Sequence, residues 1–303
     1  MGQTKIEWTH TVLPDGQTLP GYTFNPWWGC VKVGQDCAHC YADRLSHRFG
    51  FDVWGPTKSR RMFGEKHWNG PMRWQRKGEK LGYRPRVFSG SMCDIFEDHP
   101  DVVDSRLRLW ALIERTPRLI WMLLTKRPEN MLRMVPPKWV HEGVPENVWL
   151  GVSAGDNETF WSRSPHFIGA CDVLKPSVAF ISLEPLIGPV DPGDGMEEFD
   201  WVIVGGESGP KARPMHQRWA VDIMFLCQDH GIPFFFKQWG AWLPWSPGAW
   251  GEDEGLFVAV DNGEVVKFAE MRVGTSYSFM YKVGKARSGS VLMGAEWRES
   301  PGT

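Results

Sequence analysis

Three cysteines lie close together near the amino terminus, in the segment Cys30–Tyr41. Six residues separate Cys30 from Cys37, and two separate Cys37 from Cys40. The short gap lets two sulfurs turn toward one centre, and Gly34 gives the longer gap the freedom to bring the third thiol round. Three thiolates can ligate three irons of a 4Fe–4S cluster and leave the fourth iron open for another ligand. The spacing therefore predicts an iron–sulfur site.

Zinc and free thiols without a metal are the two alternatives. A structural zinc site takes four ligands, and the nearby fourth candidate, His39, is better placed to support a ligand than to be one. The remaining cysteines, Cys93, Cys171 and Cys227, are expected to be buried small hydrophobic residues. Cys93 has a second interpretation, as a fourth ligand or a reactive thiol, because it lies beside the polar end of a predicted strand.

The bulk composition limits the class of protein. At 303 residues the chain is long enough for one large α/β domain or two ordinary ones. Its formal net charge of −2 excludes a global basic field, so contact with nucleic acid would need a local patch. The first residues do not resemble a secretion signal, and no apolar run approaches the length of a membrane span. We expect a cytoplasmic protein with reduced thiols and no membrane partner.

A regular alternation of apolar runs and helical segments begins at residue 86. The predicted strands are residues 86–89, 119–124, 148–152, 178–183, 201–204 and 233–236, with a further strand expected before the first. The predicted helices are residues 41–49, 102–115, 128–134, 159–168 and 219–230. Unbroken apolar strands joined by helical crossovers are typical of a parallel sheet covered on both faces. The pattern predicts an α/β fold with a partial or complete (β/α) barrel, and a doubly wound open sheet is the alternative.

Nearly every predicted strand ends in glycine or a polar residue. The carboxyl ends of the strands converge on one edge of such a barrel, where active sites lie. Lys126 and Lys237 each directly follow a buried strand and are expected to face an anionic group. The polar ends in chain order are Ser89, Gly90, Ser91 and Asp94; Lys126 and Arg127; Ser153; Glu184; Glu207; and Lys237, Gln238 and Trp239.

The outer segments show no such alternation. Residues 1–29 are predicted to be an extended lead-in with a hairpin around residues 14–16. Residues 50–85 are predicted to be a mostly irregular excursion, and residues 58–80 within it carry a basic patch interleaved with Trp68 and Trp74. A solvated face and a phosphate-contacting loop are the two interpretations of that patch. We place the barrel at residues 1–239 and a small β-rich extension, packed on the barrel, at residues 240–303.

Several long motifs lie between residue 4 and about residue 298. They are Thr4–Thr9, Asn25–Pro26, Gly29–Ala42, Leu124–Pro128, Val148–Ser153, Glu184–Leu186, Asp200–Gly209, Arg213–Met215 and Phe234–Gly240. Together these motifs resemble the phage Gp37/Gp68 family, also classified as DUF5131. The resemblance implies a radical-S-adenosylmethionine-like barrel, distantly similar to the spore photoproduct lyases, in a bacterium or a phage-infected cell.

The same resemblance implies a role for each polar position. Cys30, Cys37 and Cys40 would hold a 4Fe–4S cluster, with S-adenosylmethionine on its open iron and an external electron donor. The cofactor-binding set would be Ser89, Gly90, Ser91, Asp94, Lys126, Ser153, Glu184 and Glu207. Within this set Lys126 would meet the methionine carboxylate, while Ser153 and Glu184 would meet the ribose hydroxyls. The substrate-binding set would be Arg127, Lys237, Gln238 and Trp239.

The chain departs from the usual radical-S-adenosylmethionine pattern in two places. The first cysteine gap is six residues, whereas the commonest spacing has three. An insertion at about residues 10–23 is expected to reshape the mouth of the site. The predicted function is a radical enzyme that repairs or modifies a nucleic-acid base or nucleotide. The alternatives are a non-catalytic iron–sulfur protein that binds nucleic acid and a zinc-stapled binding protein from phage–host conflict.

Overall fold

The computed structural model describes residues 2–245 and 255–302. The strands within this part of the chain are β1 (Thr11–Val12), β2 (Thr18–Leu19), β3 (Tyr22–Phe24), β4 (Trp27–Trp28), β5 (Arg61–Met62), β6 (Arg86–Ser89), β7 (Ile120–Thr125), β8 (Val148–Ala154), β9 (Val178–Leu183), β10 (Trp201–Gly205), β11 (Phe234–Gln238), β12 (Trp242–Pro244), β13 (Leu256–Ala259), β14 (Val265–Val266), β15 (Tyr277–Lys282), β16 (Val291–Leu292) and β17 (Ala295–Glu296).

The helices are shorter on average than the crossovers that contain them. They are α1 (Tyr41–Arg48), α2 (Glu65–Trp68), α3 (Gly70–Leu81), α4 (Val103–Glu114), α5 (Met131–Met134), α6 (Pro137–Glu142), α7 (Asn157–Leu174), α8 (Gln217–His230) and α9 (Lys285–Ser288). Single 3-10 turns occupy Glu7–Thr9, Gln35–Cys37, Pro100–Val102, Pro128–Asn130, Gly193–Met196 and Phe268–Glu270. No helix of the described residues is long and apolar enough to cross a membrane.

The central sheet has seven parallel strands in the order β11-β10-β9-β8-β7-β6-β3, and it curls into a half-barrel. The six predicted strands are confirmed, and β3 is the further strand expected before them. Among these seven strands, each lies beside the one that comes before it in the chain, so the strand order never reverses across the sheet. A doubly wound sheet requires such a reversal, and that alternative is therefore wrong. The observed barrel is the partial one.

The two faces of this sheet bury different apolar groups. The outer face packs against the crossover helices, where Trp121 of β7 shares one buried cluster with Phe160 of α7 and Ile223 of α8. The inner face, which the helices do not cover, packs around Trp8 from the 3-10 turn Glu7–Thr9. The Trp8 ring lies 4.6 Å from that of Phe88, measured between centroids. The interior of the half-barrel is therefore a filled core, and open polar positions are confined to its ends.

The prediction of an irregular excursion over residues 50–85 is wrong, because that segment contains α2 and α3. Trp68 and Trp74 are 4% and 9% exposed, and both pack against Phe24 of β3. The repeated glycine and proline residues had pointed to a loop. Gly82 instead ends α3 in the left-handed conformation, at the position where helices commonly take glycine.

The hairpin predicted around residues 14–16 is confirmed as β1 and β2. It lies at the amino end of the central sheet, where the Arg86 guanidinium donates to the His10 carbonyl at 3.3 Å. The hairpin therefore lies at the end of the sheet opposite to the polar strand ends, which does not support the expectation that the insertion reshapes the mouth of the site. The last residues of the insertion enter β3.

The carboxyl-terminal residues form the expected β-rich region. Four antiparallel strands pair in the order β12-β15-β13-β14. The chain then returns to the exposed edge of the half-barrel, where the Phe236 amide of β11 donates to the Trp297 carbonyl at 3.0 Å. The Trp201 indole donates to the Glu299 carbonyl at 2.9 Å. This return protects the edge strand β11 from pairing with another chain.

Gly206 is a position where the fold depends on the absence of a side chain. A Cβ atom built on it would lie 2.0 Å from the Trp239 carbonyl oxygen, which belongs to the backbone after β11. We expect Gly206→Ala to lower the free energy of unfolding by about 2–3 kcal/mol, because the two backbones must separate. Urea denaturation followed by circular dichroism measures this loss.

Gly169→Ala is the matched control. Gly169 lies within α7, and a Cβ there meets nothing within 4 Å. This substitution should raise the stability by about 0.5–1 kcal/mol through helix propensity alone. Equal effects of the two substitutions would contradict the assigned close approach.

Candidate functional site

The segment with the three cysteines lies across the carboxyl edge of the half-barrel. The Gly29 amide donates to the Met92 carbonyl at 3.0 Å, just after β6. The Tyr41 hydroxyl, at the start of α1, donates to the Ser91 carbonyl at 2.7 Å. We call residues 29–41 the cysteine loop. Both of its ends are therefore attached to the loop that follows β6.

The centre of the cysteine loop is held by a buried carboxylate, that of Asp36. Arg163 of α7 donates to both of its oxygens, at 2.7 Å from Nη1 to Oδ2 and 3.0 Å from Nη2 to Oδ1. The Lys126 ammonium group contacts Oδ2 as well. Burial raises the pKa of Asp36, but the Lys126 and Arg163 cations outweigh it and hold the pKa well below its ordinary value. Asp36 is therefore ionised and fixes the loop to β7 and α7.

Four of the predicted polar strand ends form one connected chain of contacts. Lys126 Nζ donates to Ser153 Oγ at 2.6 Å, and Ser153 Oγ donates to the Glu184 carbonyl at 3.2 Å. Lys237 Nζ lies 2.5 Å from Glu184 Oε1. These residues come from the ends of β7, β8, β9 and β11. The structure thus brings together the lysines that were expected to face anions, and each lysine has a carboxylate partner.

Arg127 joins the cysteine loop to the loop after β6. Its Nη1 atom lies 3.4 Å from Cys30 Sγ and 3.0 Å from Asp94 Oδ2, and its Nη2 atom donates to the Val31 carbonyl at 2.5 Å. Burial raises the pKa of Cys30 to about 12, although Arg127 opposes this. Cys30 is therefore protonated at neutral pH, and a metal ion that binds it must displace the proton.

Asp94 is fully used within the protein. Besides Arg127, it accepts from the Thr125 hydroxyl at 2.7 Å and from the Lys126 amide at 3.0 Å. The expected cofactor role of Asp94 stays a prediction that this arrangement does not support, because both of its carboxylate oxygens already accept from protein donors. Arg127, expected to bind substrate, is likewise 6% exposed and committed to Asp94.

A second carboxylate, Glu207 after β10, holds the other side of the cysteine loop. It accepts from His39 Nδ1 at 3.1 Å and from the Arg213 amide, Nε and Nη2 at 2.8, 2.9 and 2.7 Å. Burial raises the pKa of Glu207, but these donors lower it further than burial raises it. Arg213 also donates to the Gln35 carbonyl at 3.0 Å. The expected cofactor role of Glu207 is not supported, since its carboxylate is satisfied by the loop.

The end of β6 holds the remaining predicted cofactor residues. Ser89 is buried and its hydroxyl has no hydrogen-bond partner among the described residues. Gly90 has a φ of 99°, which allows the chain to turn away from the strand. Ser91 Oγ accepts from Asn25 Nδ2 at 2.9 Å. Ser91 is the more accessible of the two serines and keeps its O–H donor, whereas Ser89 has an unpaired hydroxyl that is fully buried.

Two predicted substrate residues after β11 face into the protein. Trp239 is 3% exposed, packs on Phe236 with ring centroids 4.9 Å apart, and donates from its indole to the Val291 carbonyl at 2.9 Å. Gln238 is 7% exposed and donates to Ser208 Oγ at 3.1 Å. Trp239 is therefore enclosed, and its burial does not support the expectation that it receives a flat base.

The chemistry of the donor set fits an iron–sulfur cluster, although the thiols are not gathered into a metal geometry. Over residues 2–245 and 255–302, no three His, Cys, Asp or Glu side chains converge closely enough to hold a metal ion. Cys30, Cys37 and Cys40 nevertheless share one loop at the carboxyl edge and are all unpaired thiols. A cluster there would draw its ligands from these three residues, with Arg127 donating to the sulfur of one.

Three of the residues that build this site were missed from the sequence. They are Asp36, Arg163 and Arg213. The only local signal for Asp36 was an acid placed directly before Cys37. Arg163 lies in the middle of α7, 127 positions from its partner, where an arginine is normally read as a solvated helix residue. Their partnership is a product of the fold.

Comparison with known proteins gives one match. A family described as "Protein of unknown function (DUF5131)" matches residues 3–301. No curated protein and no solved structure matches the chain.

We expect Asp36→Asn to lower the free energy of unfolding by about 3 kcal/mol, because it leaves the cations of Lys126 and Arg163 without their buried counter-charge. The native pKa of Asp36 lies below that of the unfolded chain. Its contribution is therefore complete above about pH 4 and is lost as the pH falls toward the native pKa. Lowering the pH from about 5 to 3 should therefore reduce the free energy of unfolding of the wild type more than that of Asp36→Asn. Urea denaturation at each pH measures the difference.

Asp52→Asn is the control for this prediction. Asp52 pairs with Lys58 on the surface, where both side chains are about half exposed. Its loss should cost no more than about 1 kcal/mol. A small effect at Asp36, similar to that at Asp52, would show that the buried pair does not hold the loop.

Proposed function

The chain belongs to the DUF5131 family, and from this membership and the geometry of the site we propose that it is a radical S-adenosylmethionine enzyme. It would hold a 4Fe–4S cluster on Cys30, Cys37 and Cys40 and act on a nucleic-acid base or nucleotide. The observation that carries the proposal is the position of the cysteine loop. Three thiols lie across the carboxyl edge of a parallel half-barrel, which is where active sites of barrel enzymes are built.

The cofactor would supply chemistry that no side chain has. A cluster held by Cys30, Cys37 and Cys40 would supply the one-electron chemistry that S-adenosylmethionine cleavage requires. The protein's own contribution is to hold the loop, the cofactor and the substrate in place. Asp36 and Glu207 perform the first task through their bonds to α7, β7 and the loop after β10.

The cofactor contacts would come from the connected polar chain. Lys126 is 22% exposed at its side chain, and its ammonium group is placed to meet an anionic carboxylate. Glu184, whose side chain is 22% exposed, would bond the ribose hydroxyls. Ser153 is buried, and its hydroxyl would hold Lys126 in position for the cofactor. Ser89 is fully buried, so its hydroxyl, which has no partner among the described residues, does not reach a ligand in this arrangement. An anionic ligand on Lys126 would leave Asp36 with Arg163, so the loop stays attached.

The substrate contacts reduce to fewer residues than the sequence indicated. Lys237 is 24% exposed and lies at the same edge as the cofactor chain. It is the remaining candidate for a substrate phosphate or carbonyl group, because Arg127, Gln238 and Trp239 are enclosed. A base within a duplex would have to be flipped out to reach this edge. An external electron donor would reduce the cluster.

A second candidate function follows from the carboxylates around the cysteine loop. Two of the predicted cofactor carboxylates, Asp94 and Glu207, are engaged in internal bonds and not free for a cofactor. This favours a non-catalytic alternative, in which iron–sulfur or zinc binding staples a nucleic-acid-binding protein or a phage–host conflict protein. Metal identity and S-adenosylmethionine cleavage separate the two functions.

Anaerobically purified protein should contain about four irons and four sulfides per chain. After dithionite reduction with S-adenosylmethionine it should release 5′-deoxyadenosine. Lys126→Ala should abolish this release with little loss of iron, because the lysine would contact the cofactor and not the cluster. Lys138→Ala, on the surface of α6, is the control and should cleave at the wild-type rate. Retained cleavage by folded Lys126→Ala would remove the role assigned to Lys126.

The three cysteines of the loop should behave differently from the other thiols. We expect Cys37→Ser to lower the iron content several-fold, because serine is a poor ligand for an iron–sulfur cluster. Cys171→Ser, in α7, should leave the iron content unchanged. Zinc in place of iron, or iron that depends equally on Cys171, would contradict the proposed cluster site. Metal analysis by mass spectrometry gives both results.

A further inference from the structure

Five basic side chains on α2 and α3 are exposed and have no ion-pair partner among the described residues. We call them the α3 patch. Other basic groups of the same segment are neutralised, as Arg60 is by Glu97 and Lys58 by Asp52. The patch is a local feature, since the whole chain carries a net charge of −2. Its members are Lys66, Arg73, Arg76, Lys77 and Lys80.

The four members on α3 lie on one side of the helix. Positions 73, 76, 77 and 80 have the spacing that places side chains on one face within an arc of about 100°. They extend over about 10 Å of helix axis. Glu79 is the one acidic residue of α3 and lies about 120° away from the centre of this face. The patch is therefore a continuous stripe of positive charge.

The opposite side of α3 is fixed to the half-barrel. Trp74 stacks on Tyr22 of β3 with ring centroids 4.5 Å apart. Gly78 approaches Pro85 so closely that a Cβ atom would lie 2.6 Å from the proline ring. The apolar face of the helix is buried by these contacts, and the charged stripe is held in a rigid position.

The amino end of α3 lies beside the carboxyl edge of the sheet. Lys66 and Arg73 line one cleft together with Phe24 and His67. The His67 imidazole makes a 2.9 Å hydrogen bond with the carbonyl oxygen of Asn25, directly after β3. A chain of phosphates that followed α3 would therefore lead toward the edge that carries the cysteine loop.

We propose that the α3 patch binds the phosphate backbone of nucleic acid. The chemistry is that of arginine and lysine side chains, which contact phosphates without reading sequence. An anionic membrane is a poorer fit, because a helix that binds membranes inserts its apolar face, whereas that face of α3 is buried. The choice of nucleic acid rests on the proposed function, while the unpaired charge stands without it.

The test compares two fourfold variants of the full chain. One is Arg73→Gln, Arg76→Gln, Lys77→Gln and Lys80→Gln together. The other removes four exposed cations, one directly after α4 and one each on α5, α6 and α8, through Arg115→Gln, Arg133→Gln, Lys138→Gln and Arg218→Gln. Both variants change the net charge equally. Fluorescence anisotropy measures the binding of a labelled duplex of about 20 base pairs, a single-stranded DNA and an RNA over a series of salt concentrations.

The α3 variant should bind at least about tenfold more weakly than the wild type at about 50 mM salt. Its slope of log affinity against log salt should be smaller by about 3 to 4 on a duplex, since each phosphate contact contributes about 0.9. The control variant should stay within about twofold of the wild type. Thermal melts establish that both variants are folded.

Two results would overturn the proposal. One is that the folded α3 variant binds each of the three nucleic acids as tightly as the wild type does. The other is α3-dependent binding to phosphatidylserine vesicles with no α3-dependent binding of nucleic acid. The assay uses neither the cluster nor S-adenosylmethionine. If the wild type forms no 5′-deoxyadenosine but binds nucleic acid through α3, the result counts against the proposed function alone. If it forms 5′-deoxyadenosine but its nucleic-acid binding does not depend on α3, the result counts against the α3 patch alone.

Discussion

The buried carboxylate of Asp36 is the constraint on which the site depends. Removing a carboxylate from water is costly unless its charge is paired and its oxygens are bonded. Arg163 and Lys126 do both, and Arg163 also donates to the Ser153 carbonyl at 2.7 Å. One acid within the cysteine loop therefore connects this loop to a helix and to the ends of two strands. If the loop left the carboxyl edge, Asp36 would be separated from Lys126 and Arg163, and both cations would lose their carboxylate partner.

The half-barrel explains why a segment from the amino terminus can occupy this place. The inner face of the sheet is filled by Trp8 and the large residues around it, so its polar groups are found at the strand ends. The sheet is open between β3 and β11, and it uses separate segments to complete the ends. The cysteine loop covers the carboxyl edge, while the β1–β2 hairpin lies at the opposite end. Two segments that are close in the amino-terminal part of the chain therefore lie at opposite ends of the sheet.

Much of the fold was readable from local patterns, and the roles of single side chains were not. The six apolar runs became strands because each is buried on both faces, and their polar ends converged because the strands are parallel. Asp94 and Glu207 lie at this edge, as expected, but their carboxylates bind Arg127 and Arg213 within the protein. Trp239 shows the same difficulty, since exposure of an aromatic ring depends on what packs over it. The glycine and proline residues around α3 predicted a loop, because both have low helix propensity. The helix is stabilised instead by packing against β3.

The central claim is that the clamped cysteine loop holds a cluster with an open iron at the edge lined by Lys126, Ser153 and Glu184. The most direct measurement is the electron paramagnetic resonance spectrum of the reduced, anaerobically prepared protein with and without S-adenosylmethionine. The account predicts the signal of a reduced 4Fe–4S cluster that changes shape when S-adenosylmethionine is added. A protein without iron, or a cluster signal that S-adenosylmethionine leaves unchanged, would contradict it.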